Sequence, residues 1–296
     1  MEFGLFTCGY QRTNLKQAFA DASSFGYDYI ELWGGRPHGF APDLMKGAAD
    51  RVRNLSEQYG VPVRVYTPEH NAYPFNYMMG DRTQREDSIR YLKTAIQASA
   101  LLGAEAMLIS IGHSGDLSPE RKEERLLRSL APLSEEAQKQ GVTLLLENLT
   151  PMESDGYTTL EDYSSLFDRQ LPCVKAMCDV VVPFVQGRDP VEYLHVLGPK
   201  MVHLHLTDSN GADESHIMPG DGIMDLRTLL REFRSAGYDG NVTIELVTGY
   251  MDDPTGAASL AIRRVKELLW NESHVSVTTA SISMTRQVNA IREAIP

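Results

Sequence analysis

A (β/α)8 barrel is the fold this sequence predicts, on three observations. Short β-rich runs alternate with helix-period segments along most of the chain, and eight such runs can be drawn. Several helical segments end in glycine just before the next run. The runs are near-continuous in apolar residues, Thr143-Leu144-Leu145-Leu146 being the clearest, as expected of parallel strands buried on both faces. Eight strand–helix repeats favour a closed parallel barrel, with a doubly wound open sheet as the alternative.

The elements follow in order. Strands are predicted over Phe3–Thr7, Tyr29–Trp33, Val63–Thr67, Ala106–Ser110, Thr143–Glu147, Lys175–Asp179, Met201–Thr207 and Val242–Val247. Helical periodicity marks Leu15–Phe25, Ala48–Tyr59, Arg85–Leu102, Pro119–Gln140, Leu226–Ala236 and Thr255–Leu269. Gly26, Gly60, Gly103, Gly141 and Gly237 stand where a left-handed helix cap belongs. The barrel accounts for residues 1–271 as one domain. Residues 272–296, which begin Ser/Thr-rich and turn helical in pattern, read as a C-terminal extension, helical or partly disordered.

Composition excludes several function classes. A 296-residue chain suits one barrel of about 250 residues plus a tail. The net charge of -12 opposes nucleic-acid binding, which needs basic surface. No run of 18 apolar residues spans a membrane, and the N-terminus has no secretory pattern. Three cysteines without metal-finger spacing fit a reducing cytoplasm. Barrel enzymes often associate, so a homo-oligomer stays open.

In such barrels the chemistry sits at the carboxyl ends of the strands. Glu147, Asp179, His205 and Glu245 end the fifth to eighth predicted strands or lie near their ends. The intervals between them are each about one βα unit, so the four side chains can converge over the barrel mouth. Three carboxylates and an imidazole suit a divalent cation such as Mn²⁺, Mg²⁺ or Co²⁺, and the absence of thiolate disfavours a structural zinc. One strand-end acid is often just a cap or an ion-pair partner. Four in consecutive units would repel one another unless a cation neutralised them. His203, two residues before His205, shares its face and reads as a core or supporting histidine.

Other residues point at the same mouth. Trp33 could stack on a sugar or pack a loop. Arg36 could meet an anion or face solvent. Glu69 and His70 follow the third strand. His113, between Gly112 and Gly115, is the best of these for substrate contact, because its glycines permit close backbone approach. Pro219-Gly220-Asp221-Gly222 does not meet the dinucleotide fingerprint and reads equally as a tight turn, so no nucleotide cofactor is expected.

The motifs Phe6-Thr7-Cys8-Gly9, Glu31-Leu32-Trp33-Gly34-Gly35-Arg36-Pro37-His38, Tyr66-Thr67-Pro68-Glu69, Glu147-Asn148-Leu149-Thr150-Pro151-Met152-Glu153-Ser154, His203-Leu204-His205-Leu206-Thr207-Asp208-Ser209, Pro219-Gly220-Asp221-Gly222 and Glu245-Leu246-Val247-Thr248 are short singly but specific in this order. Over most of residues 1–270 the chain resembles the xylose-isomerase-like barrels, and within them the ketose 3-epimerases, nearest to those acting on fructoselysine. The resemblance implies one divalent metal on Glu147, Asp179, His205 and Glu245, with Mn²⁺ first and Co²⁺, Ni²⁺, Mg²⁺ or Zn²⁺ as alternatives. It makes Glu147 and Glu245 the acid/base pair that moves a proton at C3 of a ketose or ketosamine through an enediolate. It also implies substrate contact or support from Glu153, and a substrate-binding or second-metal role for His216. The chain departs from simple ketohexose epimerases at two points. Val182 stands where they carry a histidine, and His216 where they carry an arginine, which implies a substrate other than a free ketohexose. Competing readings on the same scaffold are a free ketohexose 3-epimerase, a sugar isomerase, an inosose dehydratase, a metal-dependent DNA repair endonuclease and a non-catalytic sugar-binding barrel.

Overall fold

A computed structural model describes residues 1–70, 74–169 and 171–269. Eight parallel strands close on themselves in sequence order. They are β1 (Glu2–Phe6), β2 (Tyr29–Trp33), β3 (Val63–Thr67), β4 (Ala106–Ile109), β5 (Thr143–Leu146), β6 (Val174–Asp179), β7 (Met201–Leu206) and β8 (Asn241–Ile244). The ring is completed by β1 against β8, with Gly4 opposite Thr243. The predicted barrel is therefore the observed one. The Ser/Thr-rich extension lies outside the described residues.

The helices pack outside and bury residues at helical spacing. Leu15–Phe25 buries Leu15, Ala18, Phe19 and Ala22. Leu226–Ser235 buries Leu226, Leu229, Leu230 and Phe233. All five expected cap glycines have positive φ, the conformation a side chain resists. One helix begins earlier than its pattern: Arg82–Leu102 starts behind a capping box in which the Asp81 carboxylate accepts from Gln84 N and the Gln84 side chain accepts from Asp81 N. Three short helices, Leu160–Leu166, Val181–Val185 and Pro190–Leu197, fall where no periodic segment was predicted. They are too short to display a period.

Inside the ring the floor is apolar. Tyr29, Val65, Ala106, Leu108, Leu145 and Met177 form a cluster of their own. Gly4 makes room for it, since a Cβ there would lie 2.2 Å from the Tyr29 ring. Tyr29 Oη pairs with Thr243 Oγ1 at 2.9 Å, so the one polar atom brought into that floor is satisfied. Above it the interior turns polar, and there the site begins.

Candidate metal and substrate site

Glu147 and Glu245 stand one residue beyond the last residues of β5 and β8, not within the strands as predicted. Their backbones still follow the ladder: Glu147 N donates to Ile109 O at 3.0 Å and Glu245 N to Leu206 O at 3.2 Å. The strands thus aim both side chains although pairing has ended. Asp179, the last residue of β6, is held by Asn148, whose Oδ1 accepts from Asp179 N at 2.7 Å and whose Nδ2 donates to Asp179 O at 3.2 Å. Asn148 was quoted in a motif but given no role.

His216 arrives by a different route. The chain after β7 folds back so that Asp208 and Ile217 exchange backbone hydrogen bonds at 2.9 and 3.0 Å. The buried Asp208 carboxylate then gathers the N–H groups of Ser209, Gly220, Gly222 and Met224 at 2.8 to 3.1 Å. A Cβ at Gly222 would sit 2.2 Å from Asp208 Oδ1, so the turn requires glycine there. Pro219-Gly220-Asp221-Gly222 is accordingly a turn, and it fixes the loop that carries His216.

The result is one tight cluster. His205 Nδ1 lies 2.6 Å from Glu245 Oε2 and 3.7 Å from Glu147 Oε1. His216 Nε2 lies 3.1 Å from Asp179 Oδ2 and 3.3 Å from Glu245 Oε2. The predicted quartet is brought together, and His216 joins it through Asp179 and Glu245. His205 Nδ1 and Glu245 Oε2 are both buried, and their contact lacks the angle of a hydrogen bond, so neither has a partner. Two orphaned donor atoms of ligand type, facing each other among further carboxylates, fit a divalent cation.

The charges reflect this crowding. Burial pushes the Glu147 carboxyl well up; His205 opposes that, while Glu245, Asp179 and Glu153 add to it. Burial would raise Glu245 too, but His205 and His216 hold it well below the usual carboxylate range. Both histidines resist burial and are driven upward by the carboxylates around them.

Behind His205 lies a residue that went unassigned. Glu31, in the middle of β2, is fully buried and meets His203 Nε2 and His205 Nε2, each at 3.0 Å. Thr67 Oγ1 donates to it at 2.6 Å. A charged residue inside the apolar run Tyr29-Ile30-Glu31-Leu32-Trp33 was the available signal. His203 is as deeply buried as His205, and its Nε2 is held on Glu31 Oε2.

Above the cluster opens a cavity of about 610 Å³. Trp33, Glu69, His70, Glu153 and His216 line it, as do Asp213, Glu214 and Val182. Trp33 Nε1 donates to Glu69 Oε2, which orients both on one wall. Desolvation raises Glu214 to about 7, with Glu153 and Asp179 adding to the effect. Two expected residues do not reach the cavity lining. Arg36 is drawn back to Asp43, with Nε to Oδ2 at 2.6 Å and Nη2 to Oδ1 at 2.8 Å. His113 turns its Nε2 to Met152 O at 3.1 Å instead of inward. In both cases a nearby partner captures the side chain, which sequence spacing does not show.

His70 gives a testable pH dependence. It is 8% exposed and its Nε2 accepts from Ser110 N at 3.1 Å, so its neutral form is the one the fold uses. Burial lowers its pKa from 6.5 to about 4. A depressed histidine contributes stability above its unfolded pKa, and the contribution is lost as pH falls from about 6.5 toward about 4, because only the unfolded chain takes the proton there. Between pH 7 and 5 this amounts to about 2 kcal/mol. Urea unfolding at the two pH values should show His70→Gln losing about that much less than the parent chain. Equal losses would show that His70 is not the group responsible.

Among the described residues no helix is long and apolar enough to cross a membrane. A family model described as xylose isomerase-like TIM barrel matches residues 19–268. The chain is 43% identical over 271 residues to fructoselysine 3-epimerase of Shigella flexneri, covering 91% of this chain and 98% of that one. Against the protein of that name from Escherichia coli O157:H7 the identity is 42%, with the same coverage. Among solved structures, a D-tagatose 3-epimerase-like protein superposes with a TM-score of 0.74 at 18% identity, covering 91% of this chain and all of the other. D-psicose 3-epimerase from Clostridium cellulolyticum H10 gives 0.73 at 14%, covering 91% and 99%. At those identities the two structures speak for the fold alone. With the barrel closed, the strand-end cluster assembled and the match running through nearly all of both, the chain belongs to the xylose isomerase-like TIM barrel family.

Proposed function

We propose that the chain is a divalent-cation-dependent carbohydrate epimerase that inverts C3 of a ketosamine of the fructoselysine type. The observation that carries the reading is the convergence of Glu147, Asp179, His205, His216 and Glu245 at the base of one cavity. Glu147, Asp179, His205 and Glu245 would hold the cation, with Mn²⁺ the first choice, and His216 stands close enough to join them or to meet substrate. A bound cation supplies charge neutralisation where negative charge grows on the substrate's oxygens. The protein's own part is the proton. One carboxylate of the Glu147/Glu245 pair takes it from C3 and the other returns one to the opposite face.

Two features support the substrate class. The full-length relatives at 43% and 42% identity are named for fructoselysine. No Lys or Arg lines the cavity among the described residues, while Glu69, Glu153, Asp213 and Glu214 add carboxylates to those of the cluster. Such a wall disfavours a phosphate or carboxylate on the substrate and suits a protonated amine. Glu153, Glu69, Trp33 and His216 are the proposed substrate contacts.

Incubation with Mn²⁺ and fructoselysine in deuterated water should give the C3 epimer by NMR, with deuterium at C3. Free ketohexoses should turn over more slowly, and ketose phosphates slowest. Preference for a ketose phosphate would overturn the substrate class. Exchange without an epimer would point to an isomerase or a dehydratase instead.

A further inference from the structure

We propose that Glu31 is a positioning residue for the cation site: from inside the barrel its carboxylate fixes His205 with the proton on Nε2 and the Nδ1 lone pair toward Glu147 and Glu245. The inference rests on the reading of that cluster as a cation site.

Glu31 lies on β2, across the barrel from the histidines of β7, so the contact spans the barrel's interior. Its Oε1 meets His205 Nε2 at 3.0 Å and Thr67 Oγ1 at 2.6 Å, and its Oε2 meets His203 Nε2 at 3.0 Å. A carboxylate offers acceptors only, so each ring must present an N–H at Nε2. For His205 that leaves Nδ1, 2.6 Å from Glu245 Oε2, as the nitrogen free to bind a cation. A charge buried this deeply is tolerated only when its lone pairs are satisfied, and Thr67, His203 and His205 satisfy them together. A histidine ligand backed by a carboxylate on its other nitrogen is oriented and made more basic, and loss of the partner costs about 10- to 100-fold in metal affinity.

The same three side chains, Glu31, His203 and His205, are close enough to hold an ion themselves. Against that, both Nε2 atoms already sit at hydrogen-bond distance on the carboxylate, which leaves neither nitrogen a lone pair for a second ion.

The test uses the full chain with Zn²⁺, which is diamagnetic. Expected are one zinc per chain and ¹⁵N shifts showing His205 ligated at Nδ1 and protonated at Nε2. Glu31→Gln can accept from only one histidine, and its N–H₂ faces either His203 or His205 and Thr67 together. It should weaken zinc binding about 10- to 100-fold in chelator competition and shift the proton of His203 or His205 to Nδ1. The ¹⁵N measurement on the parent chain decides the matter even if the variant folds poorly. Ligation of His205 through Nε2, a second zinc lost on Glu31→Gln, or parental zinc affinity in that variant would each overturn the role of Glu31 alone. A parent chain that binds no divalent cation would instead remove the cation site itself, and this inference with it.

Discussion

Replacing Glu147 or Glu245 by Gln is expected to lower turnover by about 10²- to 10⁴-fold at saturating metal, the range a positioned acid or base contributes. The amide keeps the volume of the carboxyl and can still accept a hydrogen bond, but it cannot take or give the proton. The fold should survive, because both backbones are held by the ladder through Ile109 O and Leu206 O and not by the side chains. Saturating metal separates loss of proton transfer from loss of a ligand. Exchange adds a sharper readout. With one carboxylate replaced, the other still removes the proton from the epimer whose C–H it faces. Deuterium should then enter one epimer without inversion, and the two variants should label opposite epimers. A near-normal epimerisation rate in either variant would remove that residue from the acid/base pair.

The second large effect concerns the cation. Glu147, Asp179 and Glu245 crowd into one cluster, and His205 and His216 can offset only part of their repulsion. A cation that binds the folded chain and not the unfolded one stabilises it by about 2.7 kcal/mol when present at 100 times its Kd. For a domain of this size that raises Tm by roughly 5–10 °C. Thermal unfolding of chelator-stripped protein with and without Mn²⁺ should show the rise, and turnover should vanish on stripping and return with metal. Asp179→Asn should blunt the rise, since it removes a ligand without touching the proposed acid/base pair. A Tm unmoved by any divalent cation would sink the cation reading.

Much of this was legible in the sequence, for physical reasons that can be assigned residue by residue. The strands showed because both their faces are buried, so Leu144-Leu145-Leu146 runs without a polar residue. Four cluster members showed because barrel topology places strand ends at one level, so spacing along the chain becomes proximity in space. Boundaries were less legible. Asp81 and Gln84 cap a helix whose periodic pattern suggested a start at Arg85, because the first turn faces solvent and carries no apolar mark. Leu160–Leu166 and Pro190–Leu197 are too short for periodicity to show.

The loops were least legible. Arg36 and His113 sit in strand-end segments like the true cavity residues, and only the folded chain shows Asp43 and the Met152 carbonyl taking them. His216 had only a resemblance to recommend it. Its place beside Asp179 and Glu245 depends on the Asp208 carboxylate folding the loop back, a contact between residues whose pairing no local pattern announces.

By itself, then, the sequence determined the barrel, the level of the site and the residue types at it, because burial periodicity and strand order are properties of the chain read along its length. Which atoms meet was decided only by the tertiary structure. Glu31 and His205 are separated by most of the chain and joined across the barrel interior, and the direction of His205 Nδ1 follows from that contact. Hydrogen bonds of this kind depend on distances of tenths of an ångström between remote elements, and those distances exist only once the ring has closed.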